Sequence, residues 1–413
     1  MMRKQFVRVP ICLLALTCVL PRYVPAQGLV STQPLSTARP KVDLDGPWSF
    51  QLDPGGKGCE QKWQRATIPF AKTIQVPGCW QAQGFGAETA AMKFFSQDDG
   101  WYKKTFTVPS DWQGREVWLN IGGVKPAADV WVNDKHVGFT SSSRTPLKAD
   151  VTDCVRCGDK NTLCIRVAWP KVRLDGVWDW GDCVWSGLYR SICLESTAGA
   201  WMDGVWVRTE AARRLAHVEF AVRGPKRKGE TLRVRCQISA VSGPGRTYTA
   251  EQTVGPVADA GARVCLDLAM PDARLWSPDE PALYRAELSL LSGTRVVDQV
   301  SVRFGLREIA VKGTQILLNG SPIFLRGGCD DQYYPETICP PASKEFFVKR
   351  LRLAKQYGFN YTKSCIEVFT PEFLDAADEV GMLVCQEMPF GLSGEYRSTR
   401  HDPPSEFEAL YRA

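Results

Sequence analysis

Ile323-Phe324-Leu325-Arg326, Asn360-Tyr361-Thr362 and Met382-Leu383-Val384-Cys385 are three short apolar runs, separated by two amphipathic stretches. Ser343 is a good N-cap for the first stretch, which places Phe347, Leu351 and Ala354 on one face before Gly358 stops it. Thr370 caps the second and Pro371 opens it, with Phe373, Leu374 and Ala377 apolar and Gly381 at its end. Strand, helix, strand, helix, strand in that order predicts parallel strands joined by crossover helices. Only 108 residues run from position 306 to 413, whereas a closed eight-stranded α/β barrel takes about 250. The expectation is therefore an incomplete TIM (β/α)8 barrel over 306–413, with about three strands and two helices.

Upstream the texture changes. From 42 to 197 short β-branched and aromatic runs alternate with turn residues. Val117-Trp118-Leu119-Asn120-Ile121 and Asp129-Val130-Trp131-Val132 are examples, punctuated by Gly122-Gly123, Asn133-Asp134 and Pro109-Ser110-Asp111. Val132 to Val137 reads as a hairpin. The region is expected to be a jelly-roll β-sandwich. From 198 to 305 a second set of alternating runs, such as His217 to Val222, Leu232 to Cys236 and Tyr284 to Leu288, has the length and spacing of an immunoglobulin-like sandwich. Residues 27–41, rich in Ser, Thr, Pro and Gln, read as a flexible leader.

Residues 1–26 read as a signal peptide. Arg3, Lys4 and Arg8 precede a short apolar core, Ile11 to Leu20, and Val24-Pro25-Ala26 resembles a cleavage site. The core is far shorter than the ~20 residues that span a bilayer, and no later segment is long and apolar enough. The expected location is secreted or periplasmic, without membrane attachment. The formal charge is +6; removing Arg3, Lys4, Arg8 and Arg22 with the signal leaves +2. A near-neutral chain has no basic field for nucleic acid.

Two of the fifteen cysteines fall in the signal, which leaves an odd number and a pairing that spacing cannot assign. Cys154 and Cys157 have the gap of a zinc half-site, but the nearby Cys164 lies in the alternating run Thr162 to Val167 and reads as a strand residue. Free thiols or a local disulfide are expected there. The three histidines, His136, His217 and His401, have no G-x-S-x-G elbow to serve, and no phosphate-binding G-x-x-x-x-G-K-[ST] loop is present.

Six short motifs occur in order. They are Leu44-Asp45-Gly46-Pro47-Trp48, Gly100-Trp101-Tyr102-Lys103-Lys104-Thr105-Phe106, Val130-Trp131-Val132-Asn133-Asp134 and Gly187-Leu188-Tyr189-Arg190. Phe304-Gly305-Leu306-Arg307-Glu308 follows, and then Asn319-Gly320 with Phe324-Leu325-Arg326-Gly327-Gly328. Together they resemble glycoside hydrolase family 2, the β-galactosidase and β-glucuronidase type, over roughly 42 to 390. The resemblance implies a sugar-binding sandwich, an immunoglobulin-like domain and the start of a catalytic barrel that hydrolyses β-linked sugars.

The match departs from the family after the second barrel strand. Lys363 stands where the family has arginine, and no histidine follows it; lysine lacks the planar fork that reads paired hydroxyls or a carboxylate. Retaining glycosidases need two carboxyls about 5–5.5 Å apart, and the family carries them on its fourth and seventh barrel strands. No residue here takes either role by resemblance, so the chain by itself is expected to be inactive.

The candidate sugar-contacting residues are Asp330, Asp331, Lys363, Glu367 and Glu387, because strand ends on one barrel face point into the site, and Asp182, in a first-domain loop that the resemblance implies can reach the barrel mouth. Asp330 and Asp331 can instead brace their loop, and Lys363 and Glu367 can pair with each other. Glu387 reads as a pocket group, a metal ligand as in some relatives, or a structural acid. No cofactor is expected. Trp178, Trp180 and Trp185, beside Asp179 and Asp182, either stack on sugar rings or pack against the barrel. The competing functions are a non-catalytic carbohydrate-binding protein and a decayed gene fragment.

Overall fold

The computed structural model describes residues 36–37, 39–86, 98–140, 145–168, 185–197, 199–224, 231–255, 261–365 and 368–387. The signal, Trp178, Asp179, Trp180, Asp182, Glu367 and His401 lie outside them.

The first unit is a β-sandwich. A six-stranded sheet has the order Lys135–Thr140, Ala127–Val132, Lys160–Ala168, Asp99–Thr107, Gly46–Asp53, Lys72–Val76. It faces a four-stranded sheet ordered Leu147–Asp150, Glu116–Ile121, Ile192–Thr197, Lys41–Asp43. Alternate residues of both sheets fill one core, with Trp48, Phe50, Trp80 and Tyr102 at its centre. The sequence motifs do structural work here. Trp48 Nε1 donates to Leu44 O at 2.8 Å. Lys103, nearly buried, donates to the carbonyls of Trp63, Arg65 and Ile68 at 3.0, 2.7 and 2.6 Å and ties down the 57–70 loop. Asn133 and Asp134 both have positive φ, 49° and 67°, the conformation a tight two-residue hairpin demands. The Asn133 amide spans to Cys154 O and Asn161 Oδ1.

The second unit packs three strands, Trp201–Glu210, Leu215–Arg223 and Ala262–Ala269, on a sheet ordered Arg295–Gly305, Leu283–Ser292, Leu232–Ala240, Tyr248–Val254. Seven antiparallel strands around a single aliphatic core form an immunoglobulin-like sandwich. A short strand, Ser36–Thr37, adds to its edge beside Arg295–Gly305. The end of the expected flexible leader is thus held in place. Arg39 explains why: its guanidinium grips both carboxylate oxygens of Asp298 at 2.8 Å, donates to Met202 O at 2.6 Å, and faces Glu195 at 3.4 Å. A planar fork between buried partners of both sandwiches is a strong anchor.

The third unit begins with an antiparallel trio, Ile309–Lys312, Gln315–Leu318 and Ser321–Pro322. Three parallel strands follow: Gly327–Asp330, Tyr361–Ser364 and Leu383–Cys385. Helix α1 (Lys344–Gln356) and helix α2 (Pro371–Val380) form the crossovers. The Ser343 and Thr370 hydroxyls accept from Phe346 N and Phe373 N as N-caps. Gly381, at φ 81°, ends α2; a Cβ there would also meet Pro278 O at 2.4 Å.

The first parallel strand lies four residues later than its apolar run. The Asn360 side chain takes up the run itself. Its Oδ1 accepts from Arg326 N and its Nδ2 donates to Phe324 O, while the backbone of Asn360 donates to Arg326 O. Ile323 and Leu325 turn into a small cluster with Trp276, Leu318 and Leu383 below the sheet. Ladder pairing starts only at Gly327, where a Cβ would fall 1.8 Å from Tyr361 O, so a glycine is required at the contact.

Candidate functional site

The parallel sheet has two unlike faces. Ser364 and Asp330 turn toward the helices and are buried. Beneath them Phe347, Leu351, Phe373, Ala377 and Val380 form a dry core. The opposite face carries Cys329, Lys363 and Cys385, which are neighbours in register across all three strands. Asp331, Cys365 and Glu387 follow at the strand ends. Cys329, Cys385 and Asp331 are exposed, and Lys363, Cys365 and Glu387 are half-buried.

Lys363 Nζ donates to Glu387 Oε2 at 3.0 Å. That bond, ahead of the opposing cost of desolvation, raises the lysine above its ordinary value and keeps it charged. Glu387 N donates to Ser364 Oγ at 2.8 Å, which fixes the acid above the second strand. Lys363 therefore pairs across strands with Glu387; its expected partner Glu367 lies outside the described residues.

Asp330 holds its loop. Its carboxylate accepts from Gln332 N at 2.8 Å and pairs with Arg350 of α1 at 3.1 Å. Asp331 instead faces the open side, in hydrogen-bond contact with the Cys365 thiol. Desolvation first, and Asp331 second, push that thiol up to about 12. At that value it is protonated at neutral pH and donates a hydrogen bond.

A small cleft joins this face to the first sandwich. Lys125, Trp185 and Tyr189 line one wall, and Asp331, Gln332, Tyr333, Pro340 and Val368 line the other. Trp185 is buried, edge-on to Tyr189 at 5.0 Å, with Lys125 Nζ 4.6 Å from its ring centroid. It packs between units, the alternative to sugar stacking. Gln332 has φ 58° and a buried Nε2 without a protein partner, a donor available to a small ligand or water. The sequence alone did not single out Lys125, Gln332, Tyr333 or Cys329. Alternation along Gly327–Asp330 could have signalled Cys329, but the other three meet only through the fold.

Cys154 and Cys157 pack against the first core with no third ligand among the described residues, and Cys164 is a buried strand residue. His217, itself buried, sits between Asp267 and Glu210 at 2.7 and 2.8 Å on the second sandwich. None of the helices among the described residues is long and apolar enough to cross a membrane.

Residues 42–198 match the sugar-binding domain of glycosyl hydrolases family 2, and residues 202–307 match the following domain of the same family. The chain belongs to glycosyl hydrolase family 2. It is 24% identical over 381 residues to a β-galactosidase of Psychromonas ingrahamii, covering 86% of this chain and 36% of that protein. It is 25% identical over 374 residues to a β-glucuronidase of Paenibacillus borealis, covering 84% and 58%. A solved family 2 member from Bacteroides cellulosilyticus superimposes with a TM-score of 0.70 at 26% identity, over 84% of this chain and 47% of that one. The β-glucuronidase of Ruminococcus gnavus, solved with D-glucuronic acid, shares the fold at TM-score 0.71 and 22% identity, over 87% and 62%. The chain thus spans about a third to three-fifths of the length of these relatives.

Proposed function

We propose that this protein is a family 2 glycosidase acting on β-linked sugars outside the cytoplasm. In this reading the three parallel strands are the first of a catalytic barrel, completed by further strands that bring the acid/base and nucleophile carboxyls. The single observation that carries the reading, beside family membership, is the Lys363–Glu387 pair on the helix-free face at the C-terminal strand ends. In α/β barrels, active sites sit at that end. A charged, hydrogen-bonding patch beside an aromatic wall suits hydroxyl and carboxylate groups of a sugar.

Exposure on the same side supports completion of the sheet. Cys329 and Cys385 stand open there. Asp331 and Glu387 are each occupied, by Cys365 and by Lys363. This reading assigns the opposed pair that retaining hydrolysis uses to further strands.

The test uses the full chain and a panel of 4-nitrophenyl β-glycosides of galactose, glucose and glucuronic acid. Saturation-transfer NMR reports binding, and released nitrophenol reports turnover. The expected result is weak binding of at least one glycoside, lost in Lys363→Met, without turnover. Absence of binding across the panel overturns the placement of the sugar site. Turnover by this chain overturns the assignment of the carboxyl pair to other strands.

A further inference from the structure

Cys79 ends the short strand Gly78–Cys79 of the first sandwich, paired with Gly187. Cys339 lies in the loop between the first parallel strand and α1. The two side chains are 0% and 2% exposed, enclosed by Trp185 and Tyr189. Their thiols are in hydrogen-bond contact, and Cys79 Sγ also donates to Thr337 O at 3.3 Å.

The loop is shaped to hold this contact. Ile338 has φ 60°, a left-handed conformation that a β-branched residue adopts only under external constraint. Ile338 N donates to Tyr334 O at 2.7 Å, and Thr337 Oγ1 donates to Cys339 O at 2.7 Å. Of the other buried cysteines among the described residues, Cys236 lies in the core of the second sandwich and Cys164 faces the carbonyl of Trp63 on the first. The sugar site uses neither Cys79 nor Cys339.

We propose that Cys79 and Cys339 are an oxidisable pair that closes into a disulfide, stapling the first sandwich to the parallel-sheet unit. The proposal is independent of the glycosidase reading. The oxidant is a low-molecular-weight disulfide such as oxidised glutathione. Contact with Cys339 lowers the Cys79 thiol, while the same contact and burial raise Cys339.

In a local opening of the loop, the Cys79 thiolate attacks one sulfur of the oxidant. A mixed disulfide forms, the external S–S bond breaks, and one thiolate leaves. The Cys339 thiol then gives its proton to water, and its sulfur attacks Cys79 Sγ. The protein disulfide forms as the second external thiolate leaves. Two electrons and two protons pass from the protein to the oxidant, which ends as two thiols. A link between residues so far apart in sequence removes much freedom from the unfolded chain.

The test is mass spectrometry of the full chain after incubation with oxidised glutathione. The protein is alkylated in denaturant without reductant and then digested. The expected result is a cross-linked peptide pair containing Cys79 and Cys339, lighter by two hydrogens than the separate thiol peptides. Reductant should lower the melting temperature by roughly 5–10 °C, and C79S or C339S should remove that response. Alkylation of both cysteines without reductant overturns the proposal, as does linkage of either one to another cysteine. The cross-link is read on the unsubstituted chain, so a variant that fails to fold does not blur the outcome.

Discussion

The two faces of the parallel sheet are built from the same three strands and do opposite things. Toward the helices, the sheet meets an aromatic and aliphatic core, with Asp330 paired to Arg350 at its end. Phe369 and Phe373 stack at 3.9 Å and 4°, and Phe347 meets Phe373 edge-on at 5.2 Å. Away from them, Cys329, Lys363, Cys385 and Glu387 leave polar atoms facing outward. The period of two along a strand separates scaffold from chemistry at neighbouring residues. Ser364 and Glu387 show how closely the two are joined, since the buried hydroxyl on one side fixes the backbone of the acid on the other.

If this contrast is real, the largest effect comes from the dry face. Phe373→Ala should cost about 3–5 kcal/mol in denaturant unfolding, whereas Cys385→Ala should stay within about 0.5 kcal/mol. Equal costs would erase the distinction between the faces. Next is the N-cap of α2: Thr370→Ala should cost about 1 kcal/mol, measured the same way, because Phe373 N loses its acceptor. Lys363→Met comes third. It should leave the melting temperature unchanged while removing glycoside binding; a fall in melting temperature with binding intact would move the lysine to the scaffold side.

The smallest effect is electrostatic. The hydrogen bond from Lys344 holds Glu379 of α2 below its ordinary value. A lowered folded-state value contributes stability that is present above the unfolded carboxyl value, near pH 4.3, and is lost as the pH falls through the folded value. Glu379→Gln should therefore flatten the acid limb of the stability profile slightly, by less than about 1 kcal/mol for a half-exposed pair. An unchanged acid limb would remove Glu379 from the acid response.

The parts of this fold legible in the sequence were those set by neighbours along the chain. Ser343, Thr370, Pro371 and Gly381 acted where they stood, because caps and stops use backbone groups within one helical turn. The Asn133-Asp134 hairpin was equally local. The first parallel strand was displaced because Asn360, 34 residues beyond Arg326, captures the apolar run through its side chain. The described end of the leader is anchored because Arg39 finds Asp298, 259 residues away. The described partner of Lys363 is Glu387, 24 residues on and across a strand.

By itself the sequence determined the order of two β-sandwiches and a parallel α/β unit, the helix boundaries and the resemblance to a glycosidase family. Periodicity, caps and short motifs act over a few residues and need no knowledge of the rest. Only the tertiary structure decided which acid meets Lys363, that Asp330 braces a loop while Asp331 faces out, and that Cys79 lies against Cys339. Those pairings depend on strand register and on one unit packing against another, and a linear string carries neither.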